Sequence, residues 1–178
     1  QAEHYSEYMM AGSAGMVPLT LMALTPQGFM MHITGRNSTE QDKNRLAALI
    51  RLIATAYNAS AIATIAESWI VVPKRLGQQL DMSVRPSQSP DRKEVVAIVA
   101  ESRVECVTRF LFIQRDSFGK FSGFGTSLLP ESGTDLEGRF AGLMPPEEPT
   151  EQMMAAAKNL LQQMGVSVER LGVDQRWN

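Results

Sequence analysis

The 178 residues carry 17 basic and 19 acidic side chains, for a net charge of −2, and 44% of them are hydrophobic. That length suits one domain able to bury roughly 70% of the surface of its unfolded chain, and the composition excludes a chain disordered throughout. The charge argues against a protein whose main task is gripping nucleic-acid phosphates, and no run of about 18 apolar residues offers a membrane span.

Residues 2–12, AEHYSEYMMAG, fit a short helix with Tyr5, Tyr8 and Met9 on one side and Gly12 near its end. In 17–34, VPLTLMALTPQGFMMHIT, two apolar runs flank Thr25-Pro26-Gln27-Gly28. Proline presets φ there and glycine supplies a positive φ, so a β-hairpin is expected. Pro18 puts the first strand at an edge or marks its start.

The clearest element is a helix over 39–57. Ser38 with Gln41 three residues on reads as a capping box. Leu46, Leu49, Ile50, Ile53 and Tyr57 make one apolar stripe, and Asn58 is a stop. The apolar run 60–72 follows as a strand. Hairpin, helix and strand imply a crossover that returns this strand parallel to the second hairpin strand, so a mixed sheet is expected.

Next comes PKRLGQQLDMSVRPSQSPDR (73–92), a long connection with no periodic pattern. Such loops in compact domains are mostly binding or lid loops, or disordered. Its SQSPDR end reads as turn punctuation before the strand KEVVAIVA (93–100), which is apolar on both alternating faces and so belongs mid-sheet. Short turns then separate strands at 104–115 and 119–125. Residues 126–149 are rich in Gly, Pro and acids and read as extended. A final helix over 150–164 puts Met153, Met154, Ala157, Leu160, Leu161 and Met164 on one face, with Gly165 after its end. It is expected to pack on the same core or on a second subunit.

The fold class that follows is α+β: one domain with a mixed, mostly antiparallel sheet of about five or six strands, in the order (α)ββαβββ, and a C-terminal helix. Its parts are a core at 1–125, the acidic segment at 126–149, and the helix and tail at 150–178.

Chemistry-bearing residues are few. Glu67 shares a strand face with Ile65 and Trp69 by strict alternation. If the 39–57 helix covers that face, the carboxyl sits in apolar surroundings with a raised pKa, as general acids and bases require. The bland alternative is a bulge or a solvent-facing edge. His32 in the hairpin, with Glu67 or Asp91, is the remaining acid/base combination. Around the loop, Lys74, Arg75, Arg85, Arg92 and Lys93 outnumber Asp81 and Asp91. That excess suits an anionic ligand, an acidic partner or the acidic 131–151 segment, or else simple solvation.

Cys106 is a lone thiol within an apolar run, and two histidines cannot build a zinc cluster, so no metal or cofactor is called for. No P-loop, nucleophile elbow, Ser/His/Asp spacing or HExxH is present. Three of the methionine pairings, Met9-Met10, Met30-Met31 and Met153-Met154, place one member of each toward another element or a partner. The absence of paired cysteines favours cytoplasm, with a removed signal peptide as the alternative because the chain begins at Gln1.

Glu67-Ser68-Trp69 followed by PSQSPDRKEVVAIVAES (86–102) resembles uncharacterised bacterial and phage-encoded proteins. In these a strand ending in an acid, a small residue and Trp precedes a PS-x-x-PDR-x-EVV segment. The resemblance implies that the loop and its flanking strands form one unit, and it implies no catalytic role.

The reading favoured is a non-enzymatic binding or accessory protein of mobile-element origin. It self-associates and uses the 73–92 loop, with Lys74, Arg75, Arg85, Arg92 and Trp69, as its contact surface. The alternatives are a small hydrolase or nuclease-like enzyme with Glu67 and Asp91 as acids, and a structural assembly subunit.

Overall fold

The computed structural model describes residues 1–12, 15–34, 39–73, 83–125, 142–166 and 169–170. The element order is α1 (Ala2–Ala11), β1 (Thr20–Thr25), β2 (Gly28–Ile33), α2 (Glu40–Ala56), β3 (Ala61–Val71), β4 (Arg92–Ser102), β5 (Cys106–Arg115), β6 (Phe121–Gly125), α3 (Glu151–Gln163) and β7 (Glu169–Arg170). A single helical turn, Pro86–Gln88, lies in the loop before β4.

Local chemistry sets most of these boundaries. Gly28, at φ +106°, closes the Pro26-Gln27 hairpin turn, a conformation that a side chain would strain. The α2 cap stands one residue beyond the expected position. Thr39 Oγ1 accepts from the Asp42 N–H at 3.1 Å while Asp42 Oδ2 accepts from the Thr39 N–H at 3.1 Å. A carboxylate at this position also meets the positive end of the helix dipole, which a Gln41 amide cannot match. Asn58, at φ +47°, ends the helix as expected, and Gly165, at φ +67°, does the same for α3.

The strands form one sheet in the order β6-β5-β4-β3-β1-β2-β7. The expected α+β class and the (α)ββαβββ order hold; the mixed character does not. β3 does run in the direction of β2, but it pairs with the free edge of β1, so β1 lies between them. Every pairing among the described residues is antiparallel. β4 is an interior strand, with Val95 and Val99 buried on one face and Val96 and Ile98 on the other.

The two faces are covered by different helices. α2 and α3 pack together on the face that carries Leu21, Ala23, Met30 and Ile62, and bury Leu46, Ile50, Ile53, Ala157, Leu161 and Leu143 with it. Each buried leucine or isoleucine side chain among them contributes about 1.5–3 kcal/mol. The opposite face carries Ile65, Val96, Ile98 and Leu111, and α1 covers it with Tyr5 and Met10, joined by Val17. Tyr5 also hydrogen-bonds Thr20 through their hydroxyls at 2.9 Å, and Glu3 pairs with Arg109. Tyr8, expected beside Tyr5, instead faces solvent.

The methionine pairs split between environments, as alternation and helical spacing require. Met10 and Met30 are buried, Met9 and Met31 half-buried, and Met153 is exposed beside half-buried Met154. α3 therefore joins the main core while Met153, Leu160 and Met164 face outward. Among the described residues no helix is long and apolar enough to cross a membrane.

Candidate functional site

The residues singled out at Glu67, Trp69 and Arg92 share the α1-side face near the loop. The β3–β4 register runs unbroken from Ala61↔Ser102 to Val71↔Arg92, so Glu67 sits on a regular interior strand with no bulge. The helix expected to cover it, α2, lies on the other side of the sheet. Glu67 is instead half-buried beside the segment that follows α1, where its Oε1 accepts from the Val17 N–H at 3.0 Å. Burial pushes the Glu67 carboxyl above its ordinary pKa; the Val17 bond opposes the rise, the Glu94 charge adds to it, and Arg115 opposes it.

Trp69 stands directly across from Glu94, and Val71 from Arg92. Trp69 is 40% exposed. The Arg92 guanidinium lies 5.1 Å from its ring centroid, a cation–π stack at the surface. Glu94 receives two bonds from Arg115, Nε to Oε2 at 2.8 Å and Nη2 to Oε1 at 2.7 Å. That fork holds the Glu94 carboxylate below its ordinary pKa, against the upward push of burial. Two acids, two arginines and an indole thus form a rim, with Glu94 and Arg115 neutralising each other and Arg92 held over Trp69.

The loop's SQSPDR end is fixed to this rim by turn chemistry. Pro86–Gln88 make one tight helical turn, and Ser89 Oγ accepts from the Asp91 N–H at 3.2 Å. The Ser89 carbonyl takes the Arg92 N–H at 3.3 Å and the Arg92 guanidinium at 3.4 Å. Val84, Arg85 and Lys93 are exposed around it. Lys74 and Arg75, named as binding residues, lie outside the described residues, as do residues 131–141 of the acidic segment.

The acid/base combinations do not assemble. His32 pairs with Leu21 on the α2 side of the sheet, the face opposite Glu67. Asp91 precedes β4, five residues along from Val96, which faces Glu67, and so lies on the order of 17 Å away along the strand. General acid–base work needs groups within hydrogen-bond reach of one reacting atom. Among the described residues no three His, Cys, Asp or Glu side chains gather as metal ligands.

A second polar cluster, at the far end of β4, was not singled out from the sequence. Glu101 is only 5% exposed, and its Oε2 accepts the N–H groups of Leu143 at 2.8 Å and Met144 at 3.1 Å. Its Oε1 and the buried Thr108 hydroxyl make no hydrogen bond. Close by, Arg103 Nη2 donates to Asn58 Oδ1 at 2.8 Å, and Asn58 Nδ2 donates to Glu148 Oε1 at 2.8 Å. These contacts strap residues 143–148 to the sheet and seat α3. Strict alternation from Val95 through Ala97 and Val99 places Glu101 on a buried face, a signal present in the sequence. Cys106, directly across from Glu101, is half-exposed, and burial together with the Glu101 charge pushes its thiol up, toward an unreactive form.

No family model, curated protein or solved structure matches this chain. The class that stands is the fold itself: a single α+β domain with an antiparallel sheet between one helix and a helix pair.

Proposed function

We propose that this chain is a non-enzymatic binding or accessory protein whose contact surface is the rim where β3 and β4 enter the loop. The partner that suits it is a protein segment rich in acidic side chains. The observation that carries the reading is the exposed Trp69–Arg92 stack, held by the Ser89 turn, with exposed Arg85 in the adjoining loop. An indole with a guanidinium on its face is an amphipathic anchor of the kind that dominates interface energetics. The bulk of its neighbours serve geometry: Glu94 and Arg115 cancel, and Glu67 is tied to Val17. An origin in a mobile element rests on the Glu67-Ser68-Trp69 and PSQSPDR resemblance alone.

The test is titration of the full chain with a fluorescent poly-glutamate peptide at low salt, read by anisotropy. The R85A/R92A variant is expected to bind at least about fivefold more weakly, and added salt to weaken wild type, because rim charges act through screened electrostatics. Thermal stability should stay nearly unchanged. Equal peptide binding by the variant, or a matching loss of stability, would make the loop a structural connection.

A further inference from the structure

We infer that Phe118, at the tip of the β5–β6 hairpin, is a second anchor of the rim. The acidic segment bound there then carries a large apolar side chain about five residues from its acids. This rests on the rim being a contact surface for an acidic segment, and it specifies that partner. Phe118 is 86% exposed, more than any other Phe, Tyr or Trp among the described residues. It belongs to neither core cluster.

The backbone beneath that ring is fixed. Asp116 Oδ1 accepts the N–H groups of Phe118 and Lys120, each at 2.9 Å. The Asp116 N–H donates to the Lys120 carbonyl at 2.8 Å, and the Gly119 N–H to the Asp116 carbonyl at 3.0 Å. Gly119 makes the turn at φ +76°, where a side chain would be strained. Backbone freedom is thus removed before any partner arrives, and only two side-chain torsions are left to order on binding. Aromatic side chains held in this way are the usual anchors of protein interfaces.

The arginine that neutralises Glu94 also ties this turn to the rim. Arg115 uses Nε and Nη2 on Glu94, which stands directly across from Trp69. Its Nη1 donates to the Gly119 carbonyl at 3.3 Å. Two strand spacings, about 10 Å, separate Trp69 from β5, and the tip stands about another 10 Å beyond that row. The ring and the indole are therefore on the order of 15 Å apart, the reach of about five extended residues.

The occupant follows from charge and composition. Val84 is 41% exposed beside exposed Arg85, so the loop end of the sheet mixes open apolar side chains with arginines. Of the acids at this end, Glu94 is held by Arg115, Glu67 by the Val17 N–H and Asp116 by its own turn. Asp91 is outnumbered by Arg85 and Arg92. A purely acidic stretch uses the arginines and leaves Val84 and the Phe118 ring in water. A segment that combines acids with a large apolar residue covers both, and chains of that composition stay unfolded until they bind.

The test compares two fluorescent peptides by anisotropy against the full chain. Each has a block of four glutamates, a Gly-Ser-Gly-Ser spacer and an amidated last residue, Phe in one and Ala in the other. Wild type should bind the Phe peptide about fivefold more tightly. F118A should bring that ratio to about one and leave the Ala peptide and the melting temperature unchanged, because the ring already stands in water. V104A, at the turn on the opposite end of the sheet and 94% exposed, should change neither. Amide shifts at Phe118 and Gly119 should follow the Phe peptide only. Equal affinity of wild type for the two peptides, or a preference that survives F118A, overturns the inference even where R85A/R92A weakens both peptides. A preference erased by F118A, with binding untouched by R85A/R92A, overturns the loop reading instead. No binding of either peptide overturns both. Vesicles rich in phosphatidylserine offer the other class of anionic surface. If they capture wild type and not F118A while the peptides show no Phe preference, the tip serves a lipid surface and the acidic-segment partner is wrong.

Discussion

Glu101 gives the most discriminating test of the fold. Replacing it by alanine strips the acceptor from two backbone N–H groups, that of buried Leu143 and that of Met144 at the start of the strap to α3. Hydrogen bonds to a charged acceptor contribute about 1.5–3 kcal/mol each, and a buried donor left alone costs a similar amount. E101A should therefore lose about 3–5 kcal/mol, a large share of the roughly 5–15 kcal/mol that holds a domain together. E101Q keeps an oxygen for both donors and loses only the charge of the acceptor, so it should cost clearly less than E101A. Urea unfolding reads this directly: at a slope of about 2–3 kcal/mol/M, E101A moves the midpoint down by about 1–2 M. Amide exchange at Leu143 and Met144 should accelerate in E101A and not in E101Q. An E101A variant within about 1 kcal/mol of wild type, or an E101Q variant as damaged as E101A, would refute the clasp.

The two acids of the rim should respond to pH with opposite sign. Glu67, raised by burial, binds its proton more tightly folded than unfolded, so its neutral form stabilises at acid pH and that contribution is lost as pH rises through the raised value. E67Q should match wild type at acid pH and exceed it at neutral pH; a variant weaker at neutral pH contradicts the assignment. Glu94, lowered by Arg115, contributes above its ordinary pKa and loses that contribution as pH falls through the lowered value. E94Q should thus cost stability at neutral pH and nothing in strong acid, as melts across pH will show. In the main core, Ile53→Ala opens a cavity at a side chain with no solvent exposure and should cost about 2–5 kcal/mol with an unchanged urea slope.

Much of this architecture was legible because it is local. The Thr25–Gly28 turn, the α2 stripe, the Asn58 stop, the Gly165 cap and the Ser89 turn each depend on residues a few positions apart. The α2 cap slipped by one because Ser38 and Thr39 both satisfy the pattern, and the Asp42 carboxylate decides between them. The site was legible only in part. Trp69 and Arg92 were identified separately, but their stacking depends on the Val71↔Arg92 register across a long connection. The Glu94–Arg115 fork and the Glu101 clasp join residues 21 and 42 positions apart, which no short-range pattern reports.

By itself the sequence determined most of the elements, though not β7, and which residues of each strand share a side. It could not say which side receives which helix, because a two-residue alternation is symmetric between the faces of a sheet. The tertiary structure broke that symmetry. Once β3 joins the free edge of β1, the α2 crossover closes over Leu21, Ala23 and Ile62. Ile65, Glu67 and Trp69 then go to the α1 side. α1 is only 10 residues long, and it leaves the Trp69 rim near the loop open.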